Sequence, residues 1–145
     1  MKKLSLTIFL SLAMVFAYAQ KVKQDDVPQA VKDGLHKLYP DARVSKWELE
    51  DGNYEAEFEN NKVETSVLLT PAGALVMTEV EIATSALPQA AQDYVKNNLG
   101  GKKIKEAAKI TTAEGVVTYE AEIGGTDYLF DANGSFTGTG PEDKK

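Results

Sequence analysis

Tyr54-Glu55-Ala56-Glu57-Phe58 alternates apolar residues with glutamates, the period-two signature of a strand with one buried and one wet face. Sixty-five positions later (119 − 54) Tyr119-Glu120-Ala121-Glu122-Ile123 restates it. A second pair precedes the first: Val27-Pro28-Gln29-Ala30 and Leu87-Pro88-Gln89-Ala90, 60 positions apart (88 − 28). A helix signature followed by a strand signature, twice in the same order, reads as an internal duplication.

Working outward, Val27, Val31, Leu35 and Leu38 recur at helical spacing and predict a helix over 28–39, stopped at Pro40. Gly34 is costly in mid-helix, by about 1 kcal/mol against alanine, and points to a close approach of that helix to a sheet. Leu87, Ala90, Ala91, Tyr94, Val95 and Leu99 predict a second helix over 88–99, ended by Gly100-Gly101. After each helix the period becomes two. Strands are expected at 43–50, 53–59, 62–70 and 74–82, then at 102–111, 116–123, 126–131 and 134–138, with turns at Asp51-Gly52, Asn60-Asn61, Gly124-Gly125 and Asn133-Gly134. Connections this short force antiparallel neighbours. The expected class is α+β: a tandem duplication of a helix plus a four-stranded antiparallel meander (27–82 and 87–138), with the helices packed on one face of the sheet.

Lys2 and Lys3, the apolar run Leu4–Phe16 and the small residues of Ala17-Tyr18-Ala19 compose a secretory signal peptide over 1–19, too short in its apolar part to span a membrane. Cleavage between Ala19 and Gln20 leaves 126 residues (145 − 19) and predicts a periplasmic or secreted protein. Residues 20–26 read as a flexible arm and 139–145 as a disordered tail. The chain has no cysteine, so in an oxidising compartment its core must carry stability alone. Losing Lys2 and Lys3 takes the net charge from −6 to −8. An acidic protein repels phosphate backbones and anionic lipid, so neither nucleic acid nor membrane insertion is expected.

The pattern hydrophobic-Pro-x-Ala-hydrophobic at a helix start, then Tyr-Glu-x-Glu-hydrophobic, then a hairpin such as Asp131-Ala132-Asn133-Gly134 before Phe136 resembles PepSY-like domains. More narrowly, it resembles the beta-lactamase-inhibitor-like group of secreted bacterial proteins, over about residues 25–138. The resemblance implies the helix-plus-four-strand architecture and a non-enzymatic binding or inhibitory module, acting on an envelope or extracellular enzyme. In the inhibitor relatives one sheet face and the hairpin tips dock on an enzyme. Those relatives use disulfides, which this chain lacks. The family supplies no catalytic residues.

The residues themselves agree with an absence of catalysis. His36 is the only histidine and falls on the polar side of the first helix, so neither a histidine-based nucleophile nor a zinc site has its ligands. No glycine-rich loop cradles a phosphate, and no cofactor is expected. Carboxylates remain. Residues 43–82 hold nine acids (Glu48, Glu50, Asp51, Glu55, Glu57, Glu59, Glu64, Glu79, Glu81) against Arg43, Lys46 and Lys62, a balance of −6, whereas 101–131 balance at −2, six acids against four lysines. Glu55, Glu57 and Glu59 share one strand face, and Glu48, Glu50, Glu64, Glu79 and Glu81 join it in a simple meander.

Three readings compete for that face. It is a solvated surface whose charges prevent aggregation, a docking face for a basic protein partner, or a calcium or small-ligand site of an envelope protein, for which strands lack a ligand-gathering loop. A carboxylate-pair hydrolase needs a desolvated acid, and these glutamates read as exposed. The candidate partner-binding set is Trp47, Glu48, Glu50, Glu55, Glu57 and Glu59, with the hairpin tips Asp51, Gly52, Asn53, Asn60 and Asn61.

Overall fold

The computed structural model describes residues 20–140, so the expected leader and the end of the expected tail lie outside the described residues. Two ten-residue helices, α1 (Gln29–Leu38) and α2 (Gln89–Asn98), accompany β1 (Gln20–Val22), β2 (Val44–Glu50), β3 (Asn53–Asn60), β4 (Val63–Leu69), β5 (Leu75–Glu81), β6 (Glu106–Thr112), β7 (Val117–Ile123), β8 (Thr126–Asp131) and β9 (Phe136–Thr139).

The tandem of two helix-plus-four-strand units expected from the repeat is corrected by this arrangement. The strands form one nine-stranded antiparallel sheet in the order β1 to β9, and the molecule is mostly sheet. Two pairings make the difference. β5 lies directly against β6, from Met77 opposite Thr112 to Glu81 opposite Ala108, so the sheet has no boundary at its middle. Two separate meanders would each leave an edge of unpaired N–H and C=O groups there, and joining them satisfies both. The other pairing is β1 with β2, Lys21 opposite Glu48. It recruits three residues of the expected flexible arm, and residues 24–26 follow as a 3₁₀ turn. Neither pairing leaves a local mark, because a three-residue strand is too short to show a period and strand partnership is not periodic.

Asp51-Gly52 closes β2–β3 with φ of 48° and 79°. Asn61-Lys62 closes β3–β4 with φ of 52° and 67°. Two residues with positive φ match the strands' right-handed twist. Asn60 pairs with Val63, so this turn sits one residue later than Asn60-Asn61. At β8–β9 the Asp131 carboxylate accepts from the Asn133 and Ser135 N–H groups, both at 2.9 Å.

Both helices cover the same face. Val31 and Leu35 of α1 pack on Trp47, Ala56, Phe58, Val67 and Leu69, while Ala91 and Val95 of α2 pack on Ala107, Ala121, Ile123 and Phe130. The register carries one face across the middle, Val67 opposite Thr78 and Thr78 opposite Thr111. Gly34 is buried where α1 meets the β4–β5 turn, and a Cβ there would run into the Gly73 carbonyl. The close approach expected of Gly34 is therefore to a turn. At the other end Phe136 stacks on Tyr94, ring centroids 4.5 Å apart, fastening the edge strand β9 to α2.

Candidate functional site

Because side chains alternate along a strand, the immediate neighbours of the strand residues packed under the helices project from the face that neither helix covers. Glu55 and Glu57 of β3 do so, as do Glu48 and Glu50 of β2. Glu59 lies opposite Glu64. Glu79 and Glu81 of β5, Glu106 of β6 and Glu120 and Glu122 of β7 follow in register. A depression of about 260 Å³ opens in the middle of this face, and nine of its twelve lining residues are acids. Ala108 forms part of its floor. It lies opposite both Glu81 and Glu120, a single methyl between long side chains.

The glutamates nearest the centre are half-buried, and cross-strand neighbours explain it. Glu55 stands opposite Leu68, Glu79 opposite Ile110 and Glu120 opposite Ala108. Leu68, Ile110 and Ala108 are all buried although no helix covers them. Each carboxylate thus lies over apolar surface among like charges, and both effects disfavour ionisation. Burial, then the charges of Glu55 and Asp127, push Glu79 up to about 7. Burial and Glu79 push Glu120 up to about 8. Burial, with Glu55, Asp51 and Glu48, raises Glu50 to about 7. Burial also raises Glu55, opposed by a hydrogen bond from Ser66. The exposure expected of these carboxylates therefore holds for Glu59 and not for the central ones.

Two lysines hold the flanks. Lys46 Nζ lies 2.9 Å from both Glu48 and Glu57. Burial works against its charge, yet the hydrogen bonds and charges of these two carboxylates prevail and raise its pKa. Lys105 Nζ pairs with Glu106 at 3.2 Å and Glu122 at 3.1 Å. Among the described residues no such pair reaches Glu79 or Glu120. Glu48, Glu55 and Glu57 can each bring an oxygen within 4.8 Å of the others, a spacing a divalent ion could use. Lys46 already bonds two of the three and supplies the positive charge there.

The structure divides the sequence-derived candidates. Glu48, Glu50, Glu55, Glu57 and Glu59 share the open face, but only Glu55 and Glu57 line the depression. Trp47 lies on the opposite face under α1, 5% exposed, with its Nε1 buried and without a hydrogen-bond partner. Asp51, Gly52 and Asn53 form one end of β3, and Asn60 and Asn61 the other. Sequence reasoning missed Glu106, Glu120, Glu122 and Asp127. The Tyr119-Glu120-Ala121-Glu122 alternation was signal enough once β5 and β6 are neighbours, since both glutamate strands then wall one depression.

Among the described residues no helix is long and apolar enough to cross a membrane. No curated protein matches the chain. Solved structures share its fold. A proposed periplasmic protein of Bacteroides eggerthii superposes with a TM-score of 0.69 at 21% identity, over 79% of this chain and 88% of that one. A DUF2874 family protein of Bacteroides ovatus gives 0.67 at 20%, over 78% and 86%. A BLIP-like protein of Bacteroides fragilis gives 0.60 at 23%, over 81% and 92%. The model of the PepSY-like, beta-lactamase-inhibitor-like family matches twice, over residues 13–77 and 64–137. The chain belongs to the PepSY-like, beta-lactamase-inhibitor-like family.

Proposed function

We propose that this chain is a periplasmic or secreted, non-enzymatic binding protein that docks a basic protein partner on the open face of its sheet, and that the partner is an envelope or extracellular enzyme which docking inhibits. One observation carries the reading: the face left bare by both helices gathers nine acids around a single depression. Like charges held this close repel one another, and a cationic surface relieves that repulsion on contact. The family's inhibitor-like character supports binding over catalysis. Export is supported by the leader pattern and by the fold shared with a proposed periplasmic protein. Cleavage after Ala19 leaves Gln20 as the first residue and β1 intact.

In this reading Glu48, Glu50, Glu55, Glu57 and Glu59 attract the partner and the tips at 51–53 and 60–61 extend the contact at either end of β3. Trp47 contributes from behind, by fixing β2 on α1. The test is affinity capture from native periplasm, followed by association kinetics with the captured protein. The variant E55Q/E57Q/E59Q keeps shape while removing three charges. Its association should slow at low salt while dissociation changes little, and the wild-type rate should fall as salt screens charge to about 3 Å at 1 M. Equal association rates at low salt return the face to a solvated surface.

A further inference from the structure

Lys46 shows what this face does with an ammonium group: it is clamped by carboxylates of two strands, Glu48 on β2 and Glu57 on β3, at 2.9 Å each. Lys105 is clamped likewise by Glu106 and Glu122. Between these clamps the carboxylates of Glu79 and Glu120 face the depression from either side of β6, across Ile110 and Ala108. A side chain suited to that place needs an apolar stem, to lie on a floor of methyl and methylene groups, and a cationic head. Lysine and arginine have both. We propose that the middle of the open face is a socket for one lysine or arginine side chain of a docked protein, its stem over Ala108 and its head between Glu79 and Glu120. The inference rests on the docking reading above and adds the anchor that the partner must present.

The socket couples docking to protons. Facing it are Glu55 and Glu57 from β3, Glu64 from β4, Glu79 and Glu81 from β5, Glu106 from β6, Glu120 and Glu122 from β7 and Asp127 from β8. The cations Lys46 and Lys105 are bonded to the flanks. Near pH 7 the crowded central carboxylates hold protons part of the time. An arriving cation favours their ionised form, so each docking event expels roughly one proton near neutral pH.

The probe is a hexalysine peptide at low salt, titrated calorimetrically against the full-length mature protein in two buffers of different ionisation enthalpy. A108L keeps every charge and fills the depression. E79Q/E120Q keeps the depression and removes its two central carboxylates, and D25N/D41N removes the same formal charge from exposed positions that do not line it; circular dichroism checks each fold. Wild type should bind and release about one proton near pH 7. A108L and E79Q/E120Q should bind at least about tenfold more weakly and release little, whereas D25N/D41N should stay within about threefold of wild type. No binding to wild type, or wild-type affinity in both A108L and E79Q/E120Q, overturns the socket. The docking reading is decided separately, by the captured partner and E55Q/E57Q/E59Q, so the socket can fall while that reading stands.

Discussion

Gly34 of α1 lies against the Gly73 carbonyl of the β4–β5 turn, which stands where its Cβ would be, and a Cβ on Gly73 would in turn run into the Ala30 carbonyl of α1. Gly73 also has a φ of 80°, so a side chain there is both strained and obstructed. Gly34→Ala improves helix propensity by about 1 kcal/mol but drives a methyl into a carbonyl. Overpacking of this kind costs typically 1–3 kcal/mol and more against rigid backbone, so the net change should be destabilising. Urea unfolding should show a lower midpoint for Gly34→Ala, and a midpoint above wild type contradicts the contact.

Trp47 is buried against α1 with an unsatisfied indole N–H. Trp47→Ala should cost about 3–5 kcal/mol through the cavity it opens. Trp47→Phe should cost markedly less, because it keeps an aromatic ring and removes a buried donor left without a partner. A chemical-denaturation series of the two variants checks the order.

Stability should fall as pH rises from about 5 to 8. Glu79 and Glu120 titrate at about 7 and about 8 in the fold, against about 4.3 for an unperturbed glutamate. Across that window the folded state holds more protons than the unfolded state, so unfolding becomes easier with increasing pH. Shared repulsion makes the two titrate together, and an effect of about 2 kcal/mol or more is expected over the window. E79Q/E120Q should flatten the profile. A wild-type midpoint that rises between pH 5 and 8 contradicts the burial of these carboxylates.

Lys46 should keep the cluster of Glu48, Glu55 and Glu57 from taking up calcium. Millimolar calcium chloride should shift the wild-type melting temperature by less than about 1 °C, whereas a bound divalent ion at 100 times its dissociation constant contributes about 2.7 kcal/mol. A chelator-reversible shift of several degrees in wild type would favour the metal reading.

Local pattern made much of this molecule legible. Val31 and Leu35 marked the buried side of α1, and Tyr54-Glu55-Ala56-Glu57-Phe58 marked the two faces of β3, because both depend on spacing within one element. Strand partnership was not legible. The contact of Met77 with Thr112 depends on which edges remain unpaired after both halves form, and it decided that the acidic region belongs to the whole sheet. The charge count pointed to residues 43–82 alone, since it ranked halves of the chain that the fold then placed side by side. Burial of Glu79 was equally invisible, for its apolar neighbour Ile110 lies 31 positions away in the chain (110 − 79).

The strictly sequential strand order has a kinetic consequence. When each strand pairs only with those before and after it, most closures span a short hairpin, and chains rich in local closures fold faster than those dominated by distant ones. Two pairings are the exceptions: β1–β2 must bridge α1 within residues 23–43 before Val22 meets Trp47, and the β5–β6 seam must bridge α2 and its flanking turns, residues 82–105, before Glu81 meets Ala108. That seam should form late, after the hairpins on either side. Mutations in it should speed unfolding while scarcely slowing folding, and the depression would then be the last part of the molecule to be built.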